Sequence, residues 1–276
     1  MLRTAKTLDG YALRARDGDI GHVKDLYFDD LLWNLRYFVV DTGGWLTGRR
    51  VLVAPESVSG TLFTNDKLIP VDLTREQVKG SPDIDTEQPV ERQRELALRE
   101  YYGWPAYWGM TTPETGIAPV PPLPATDDPT LRLTRRDTEA AAVLDHDPLG
   151  DPHLRSTNEV MGYRIAATDG DIGHVEDFLI DDETWRIRYI VVDTRNWWPG
   201  KKVVIAPAWI RDVSWNKSSV AVDLTRTAIK NSPPYEPGQP LTPETAGLLH
   251  DYYGYPRYSD WGSERRTSGS RKTFRP

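Results

Sequence analysis

The sequence predicts a mainly β protein: two tandem small antiparallel β-barrels, each followed by a C-terminal α-helix. Three observations carry this expectation. The heptad "DGDIGHV" occurs unchanged at Asp17–Val23 and at Asp169–Val175. Displacing the chain against itself by 152 residues extends the match far beyond that heptad. Within each copy, short apolar runs alternate with Gly, Asp and Pro turn residues and then give way to a helical pattern.

The match can be followed in order. "WNLRYFVVDT" (Trp33–Thr42) meets "WRIRYIVVDT" (Trp185–Thr194), and "GRRVLVAP" (Gly48–Pro55) meets "GKKVVIAP" (Gly200–Pro207). One residue is then lost and the offset becomes 151, so that "PVDLTR" meets "AVDLTR" and "EYYGWPAY" meets "DYYGYPRY". The units are residues 1–110 and 152–262. Between them, 111–151 reads as a Pro-rich linker. Residues 263–276 read as a disordered basic tail, five Arg/Lys against one Glu, which is a solvated end before it is an RNA or lipid contact.

In the first copy, "YALRAR" leads to Asp17-Gly18, a hairpin-turn dipeptide, and "IGHVKDLYF" returns from it. This puts Ile20 and His22 on one face and Gly21 and Val23 on the other. In the next strand Trp33, Leu35, Tyr37 and Val39 share a face. Phe38 and Val40 make its second half apolar on both sides, so it needs cover inside a barrel and outside it. "RRVLVAP" and "KLIPVDLT" complete the strands, with Pro70 favouring an edge. A helix is expected over about Pro89–Tyr102, and a second after Thr242-Pro243, capped by the threonine. Gly103 and Gly254 end them.

Composition bounds the function. There is no cysteine, which excludes disulfides, thiolate metal sites and cysteine nucleophiles. The net charge of −7 gives no strong nucleic-acid signal. No secretory signal and no transmembrane segment are visible, so a cytoplasmic protein is expected. No nucleophile elbow, P-loop or dinucleotide fingerprint occurs. The protein is therefore expected to be no enzyme, with no catalytic residues and no cofactor.

Several residues nevertheless look chemical. His22 and His174, with Asp25 and Asp177 or Asp41 and Asp193, are weak candidates for a metal held between the copies. A histidine on a hairpin strand is the favoured reading, so no metal is expected. Asp17-Gly18-Asp19 resembles the start of a calcium loop, but position twelve is Phe28. Asp29-Asp30 and Asp181-Asp182 could pair for acid–base work, yet they sit where Asp is ordinary turn chemistry. Aromatic residues are the better candidates for protein binding: Trp104, Trp108, Trp197, Trp198, Trp209 and Tyr255. The competing reading has them close the barrels or join the copies. Trp198 and Trp209 stand out because the first copy has Leu46 and Ser57 there.

The run "DGDIGHVKDLYFDD…WNLRYFVVDT…RRVLVAPESV" resembles the PRC-barrel family. Its signature falls on Gly21, Val23, Asp25 and Asp41, and again on Gly173, Val175, Asp177 and Asp193. The chain as a whole looks like uncharacterised bacterial proteins with tandem PRC-barrel domains. The resemblance implies a small barrel that docks on other macromolecules, as in the cytoplasmic domain of the photosynthetic reaction-centre H subunit and in the ribosome maturation factor. The expected function is a non-enzymatic, protein-binding scaffold that docks on a membrane-associated or stress-related complex. The alternatives are a ribosome- or RNA-processing-associated factor, and an accessory to photosynthetic or respiratory electron and proton transfer. The partner is a protein of unknown identity. The two barrels are expected to pair within one chain or to form a homodimer.

Overall fold

A computed structural model describes residues 1–60, 67–82, 92–104, 153–194, 200–239 and 241–253. The first half holds β1 (Leu2–Thr4), α1 (Ala5–Leu8), β2 (Ala12–Ala15), β3 (Gly18–Asp29), β4 (Asn34–Asp41), β5 (Arg50–Val53), β6 (Leu68–Pro70), α2 (Arg75–Gly80) and α3 (Arg92–Tyr102). The second repeats the order with β7 (Leu154–Ser156), α4 (Thr157–Val160), β8 (Arg164–Ala167), β9 (Gly170–Asp181), β10 (Ile187–Asp193) and β11 (Lys202–Ile205). It continues with β12 (Ile210–Ser214), β13 (Ser219–Val222), α5 (Arg226–Asn231) and α6 (Pro243–Tyr253). The expected linker and the basic tail lie outside the described residues.

The protein is mainly β, in two sheets. One runs β5-β4-β3-β2-β6 and the other β11-β10-β9-β8-β13-β12. Pairing is mostly antiparallel, but β2–β6 and β8–β13 are parallel, which corrects the expectation of purely antiparallel sheets. Both sheets are open along this order, so closure into a hydrogen-bonded barrel is not seen among the described residues. Pro70 ends β6 at the rim of its sheet, where its missing N–H costs no ladder bond.

Bulges reset the side-chain alternation. Leu13 pairs with Gly21 and Arg14 with Asp19, so Ile20 is an extra residue. It turns into the core while His22 stays exposed, which overturns the shared face expected for them. On the next strand, Tyr27 pairs with Tyr37 and Phe28 with Leu35, leaving Arg36 as the extra residue. Leu35 therefore joins Phe38 and Val40 inside, and Tyr37 and Val39 face outward. The face expected for Trp33, Leu35, Tyr37 and Val39 is split by that bulge. Arg188 occupies the same extra position between Ile187 and Tyr189.

The strand apolar on both sides is covered on both, as its pattern requires. On the outer face Leu98 of α3 packs with Tyr37, Val39, Leu52 and Ala54. Gly103 stops this helix in the left-handed conformation (φ 69°), and the Trp104 N–H closes onto the Arg99 carbonyl at 2.9 Å. Residues 83–91, where the helix was expected to begin, lie outside the described residues. In the second half α6 starts at Pro243, and Thr242 Oγ1 accepts from the Thr245 N–H at 3.3 Å.

The halves are joined by exchanged strands. β4 runs along one edge of β3. On the other edge the four-residue β2 reaches only as far as His22. The remainder of that edge is completed by β7 of the second half, with Tyr27 opposite Ser156 and Asp29 opposite Leu154. Reciprocally, β1 completes β9, with Leu2 opposite Asp181 and Thr4 opposite Leu179. The inner faces of both sheets then form one apolar cluster. Phe28 lies 5.3 Å from Phe178, and Phe38 meets Trp185 edge-on at 4.9 Å.

Since the halves share strands and core, cutting the chain between them should not separate them. A protease site placed within 111–151 and cleaved to completion is expected to leave one complex of unchanged elution volume in size-exclusion chromatography. Elution as two half-mass species would contradict the exchange.

Candidate functional site

Several of the carboxylates that look chemical in sequence gather at the joint and have a structural task there. Asp25 and Asp177 are the clearest. Asp25 lies on β3, and its carboxylate faces the start of α4 in the other half. It accepts from Ser156 Oγ at 2.6 Å, Thr157 Oγ1 at 3.0 Å and the Asn158 N–H at 3.1 Å, besides its own neighbour Leu26 N–H at 2.8 Å. Asp177 does the same for α1, accepting the Lys6 N–H at 3.2 Å and the Phe178 N–H at 2.8 Å. Burial pushes both carboxyls above the ordinary Asp range, although the hydrogen bonds pull the other way.

The Asp-Asp pairs divide their work. Asp29 accepts the Leu31 and Leu32 N–H groups and pairs with Arg36, the bulge residue, at 2.9 Å. Asp181 pairs with Arg188 at 2.9 Å in the same way. The second acid of each pair crosses the joint. Asp30 meets Arg155 and His153, each at 2.9 Å, and Asp182 meets Arg3 at 2.8 Å. Burial raises the Asp30 carboxyl. Between the pairs, Trp33 and Trp185 take left-handed backbone at φ 56°. Each offers its carbonyl across the joint, to the Ile187 and Leu35 N–H groups at 2.8 Å.

The heptad itself forms the hairpin of each half. Asp17 accepts the Arg75 N–H at 2.8 Å at the first turn of α2, and Asp169 accepts the Arg226 N–H at 2.7 Å. Gly21 lies against the Asp41 carbonyl so closely that a Cβ would stand 2.0 Å from its oxygen; at Gly173 the distance to the Asp193 oxygen would be 2.2 Å. His22 pairs across the strand with Asp41, and His174 with Asp193. No group of three or more His, Cys, Asp or Glu fit to hold a metal occurs among the described residues.

Of the aromatic candidates, Trp108, Trp197, Trp198 and Tyr255 lie outside the described residues. Trp104 is half-buried and stacked on Tyr102 at 4.2 Å, closing the end of α3. Trp209 is 0% exposed, which places its ring in the packing of the second half and not on the surface. It fills the space beneath α6, 4.3 Å from the Tyr253 ring and 5.4 Å from His250.

Sequence reasoning missed a polar seat beneath the helices, where the halves differ most. In the first half Tyr37 donates to Glu95 at 2.6 Å and accepts from Arg99 at 2.8 Å. Arg99 also pairs with Glu56 at 3.3 Å. Burial, then the Glu95 charge, holds the Tyr37 hydroxyl well above its ordinary range. At the same places the second half has Tyr189, Ala246, His250 and Ala208. The signal available in sequence was three substitutions, Glu56 to Ala208, Glu95 to Ala246 and Arg99 to His250, scattered over two elements.

A family model for the PRC-barrel domain matches residues 154–226, and such a domain is found there. No curated protein matches the chain. The matched span opens with β7, the strand that pairs with the other half.

Two outcomes test the joint. Gly21→Ala should destabilise by about 3 kcal/mol or more, because the backbone overlap outweighs the roughly 0.4–1 kcal/mol a Gly→Ala change can gain through the unfolded chain. Urea unfolding measures it, and a neutral result would contradict the close approach. For the acids, a folded pKa raised above the unfolded value gives a stabilising contribution at low pH that is lost as pH rises through the folded pKa. Asp25→Asn should flatten that slope, so its stability relative to the parent grows as pH rises above the ordinary Asp range. Asp25→Ala, which strands the polar groups around it, should cost about 1–3 kcal/mol throughout.

Proposed function

We propose that this is a non-enzymatic, protein-binding scaffold of the cytoplasm, built from two PRC-type barrels. In this reading residues 2–75 form a second copy of the domain found at 154–226, each copy carries its C-terminal helix, and the fused pair docks on a larger assembly. The family match supports the interaction role, since small barrels of this kind suit docking. The repeated strand order and the reciprocal exchange support the tandem reading. The acids that suggested catalysis hold helix starts, turns and the joint instead.

The observation that carries the docking reading is an apolar ridge on the outer face of α6. Leu248 is 61% exposed and Tyr252, one turn on, is 42% exposed. The tyrosine is repeated on α3 as Tyr101, but the position of Leu248 is Ala97. The two helices therefore present similar but unequal surfaces, as a scaffold with one preferred contact requires.

The full chain and a Leu248→Glu/Tyr252→Glu variant, immobilised in parallel, should be exposed to extract of the native host. A protein retained by the parent and lost at least about tenfold by the folded variant is expected. Identical capture by both would defeat the reading, and selective capture of ribosomal proteins would favour the ribosome-associated alternative. Turnover of any substrate by the pure protein would end the non-enzymatic reading.

A further inference from the structure

The two halves are alike enough that each could join its own kind. Both donate a Leu-Arg strand, β1 or β7, and both carry the receiving acids, Asp25 with Asp30 and Asp177 with Asp182. A second copy of this chain could therefore place its first half where the second half sits. Two contacts at the joint tell these partners apart. Lys6 stands opposite Glu176 at 3.7 Å, and Glu176 is also held by Lys202 at 2.6 Å. The reciprocal contact, between the equivalent positions, is made by Asn158 and Lys24. There the Asn158 side-chain amide donates to the Lys24 carbonyl at 2.8 Å. One contact is thus cation on acid and the other is amide on lysine.

A small cavity beside the second contact shows what a different partner would meet. Lys6, Lys24, Asp9, Asp25 and Asn158 are among the residues that line it, two ammonium groups and two carboxylates about one amide. If the first half of a second copy replaced the second half, a lysine would take the site of Asn158 and bring in a third ammonium. On the other side, lysine would take the site of Glu176 and arginine that of Lys202, so Lys6 would face cations and no acid. Pairing the second half with itself sets Asn158 against Glu176, which repels nothing but loses the contact with Lys6.

We propose that Lys6, Lys24, Glu176 and Asn158 select the pairing of unlike halves, and that charge closes the joint of the first half to a second copy of itself. Each contact is partly exposed and worth little alone. The choice between partners depends on a difference, and both contacts change in the unfavourable direction when like meets like in the first half. The inference rests on the reading of residues 2–75 as a second copy of the domain, paired with the one at 154–226.

The full chain with a protease site within 111–151 tests it. After cleavage both halves are unfolded together in urea and refolded, and native mass spectrometry weighs the pairs that form. Random reassociation gives as much unlike pair as both like pairs together, and the parent should exceed that ratio. Lys6→Asn/Asn158→Lys exchanges the two residues between equivalent positions. It should lower the ratio of unlike to like pairs at least about fivefold, to below the random value. In about 1 M ammonium acetate the two proteins should converge, since the screening length falls to about 3 Å. A parent ratio no higher than random overturns the proposal, as does a ratio unmoved by the exchange or a difference undiminished by salt. If the cut halves do not refold, urea unfolding of the intact chain decides. Asn158→Lys should lower the midpoint, and Lys24→Glu added to it should restore it. A midpoint that does not fall, or that Lys24→Glu does not restore, overturns the proposal. A cut chain whose halves separate before unfolding defeats the reading of a fused pair itself, which the other outcomes leave standing.

Discussion

The edge of a long strand governs this molecule. β3 and β9 are twelve residues each, while β2 and β8, which start along the same edge, are four each. Left alone, the far part of each long strand would expose backbone N–H and C=O groups beside a wholly apolar face. That combination is costly when buried and prone to aggregation when open. The three-residue strand from the opposite half satisfies it. Because the relation is reciprocal, neither sheet has its full set of strands without the other half of the chain.

Everything else at the joint secures those two short strands. A strand of three residues carries few ladder bonds, so its position must be held from both ends. The end that leads into α1 or α4 is held by Asp177 or Asp25, which take the helix's first N–H groups from across the joint. Arg3 and Arg155, within the strands, are held by Asp182 and Asp30. The bulge arginines brace the turns that present these acids. Partly buried, several-fold hydrogen-bonded carboxylates do this better than exposed pairs, which contribute little.

Much of the fold was legible. The register of the duplication, the turn after "LRAR", the need to cover one strand twice and the Thr-Pro helix start all follow from residue pattern. The bulges were not. Nothing in "DGDIGHV" marks Ile20 as an extra residue, because the signal is a pairing offset with a strand elsewhere in sequence. Arg36 betrays itself only in hindsight, as a charged residue inside an apolar run. The exchange was hidden for a related reason. "LRT" and "LRS" open the two repeats but are too short to announce a strand, and their partners lie more than a hundred residues away. Trp209 stands out as a protein-binding candidate because its counterpart is Ser57. The pattern alone cannot show that the histidine standing in place of Arg99 lies against that tryptophan.

The covalent connection between the halves has a consequence for variation. In a symmetric pair of identical subunits, a substitution beneath one helix appears beneath the other at the same moment, and both must bear it. Here the two seats are separate positions in one chain. One could retain a permanently charged arginine with its two acids while the other acquired a titratable ring, a tryptophan and two alanines. The joint, by contrast, is held to near-symmetry, since each Asp serves the opposite half. Individuality is thus free to accumulate beneath the helices.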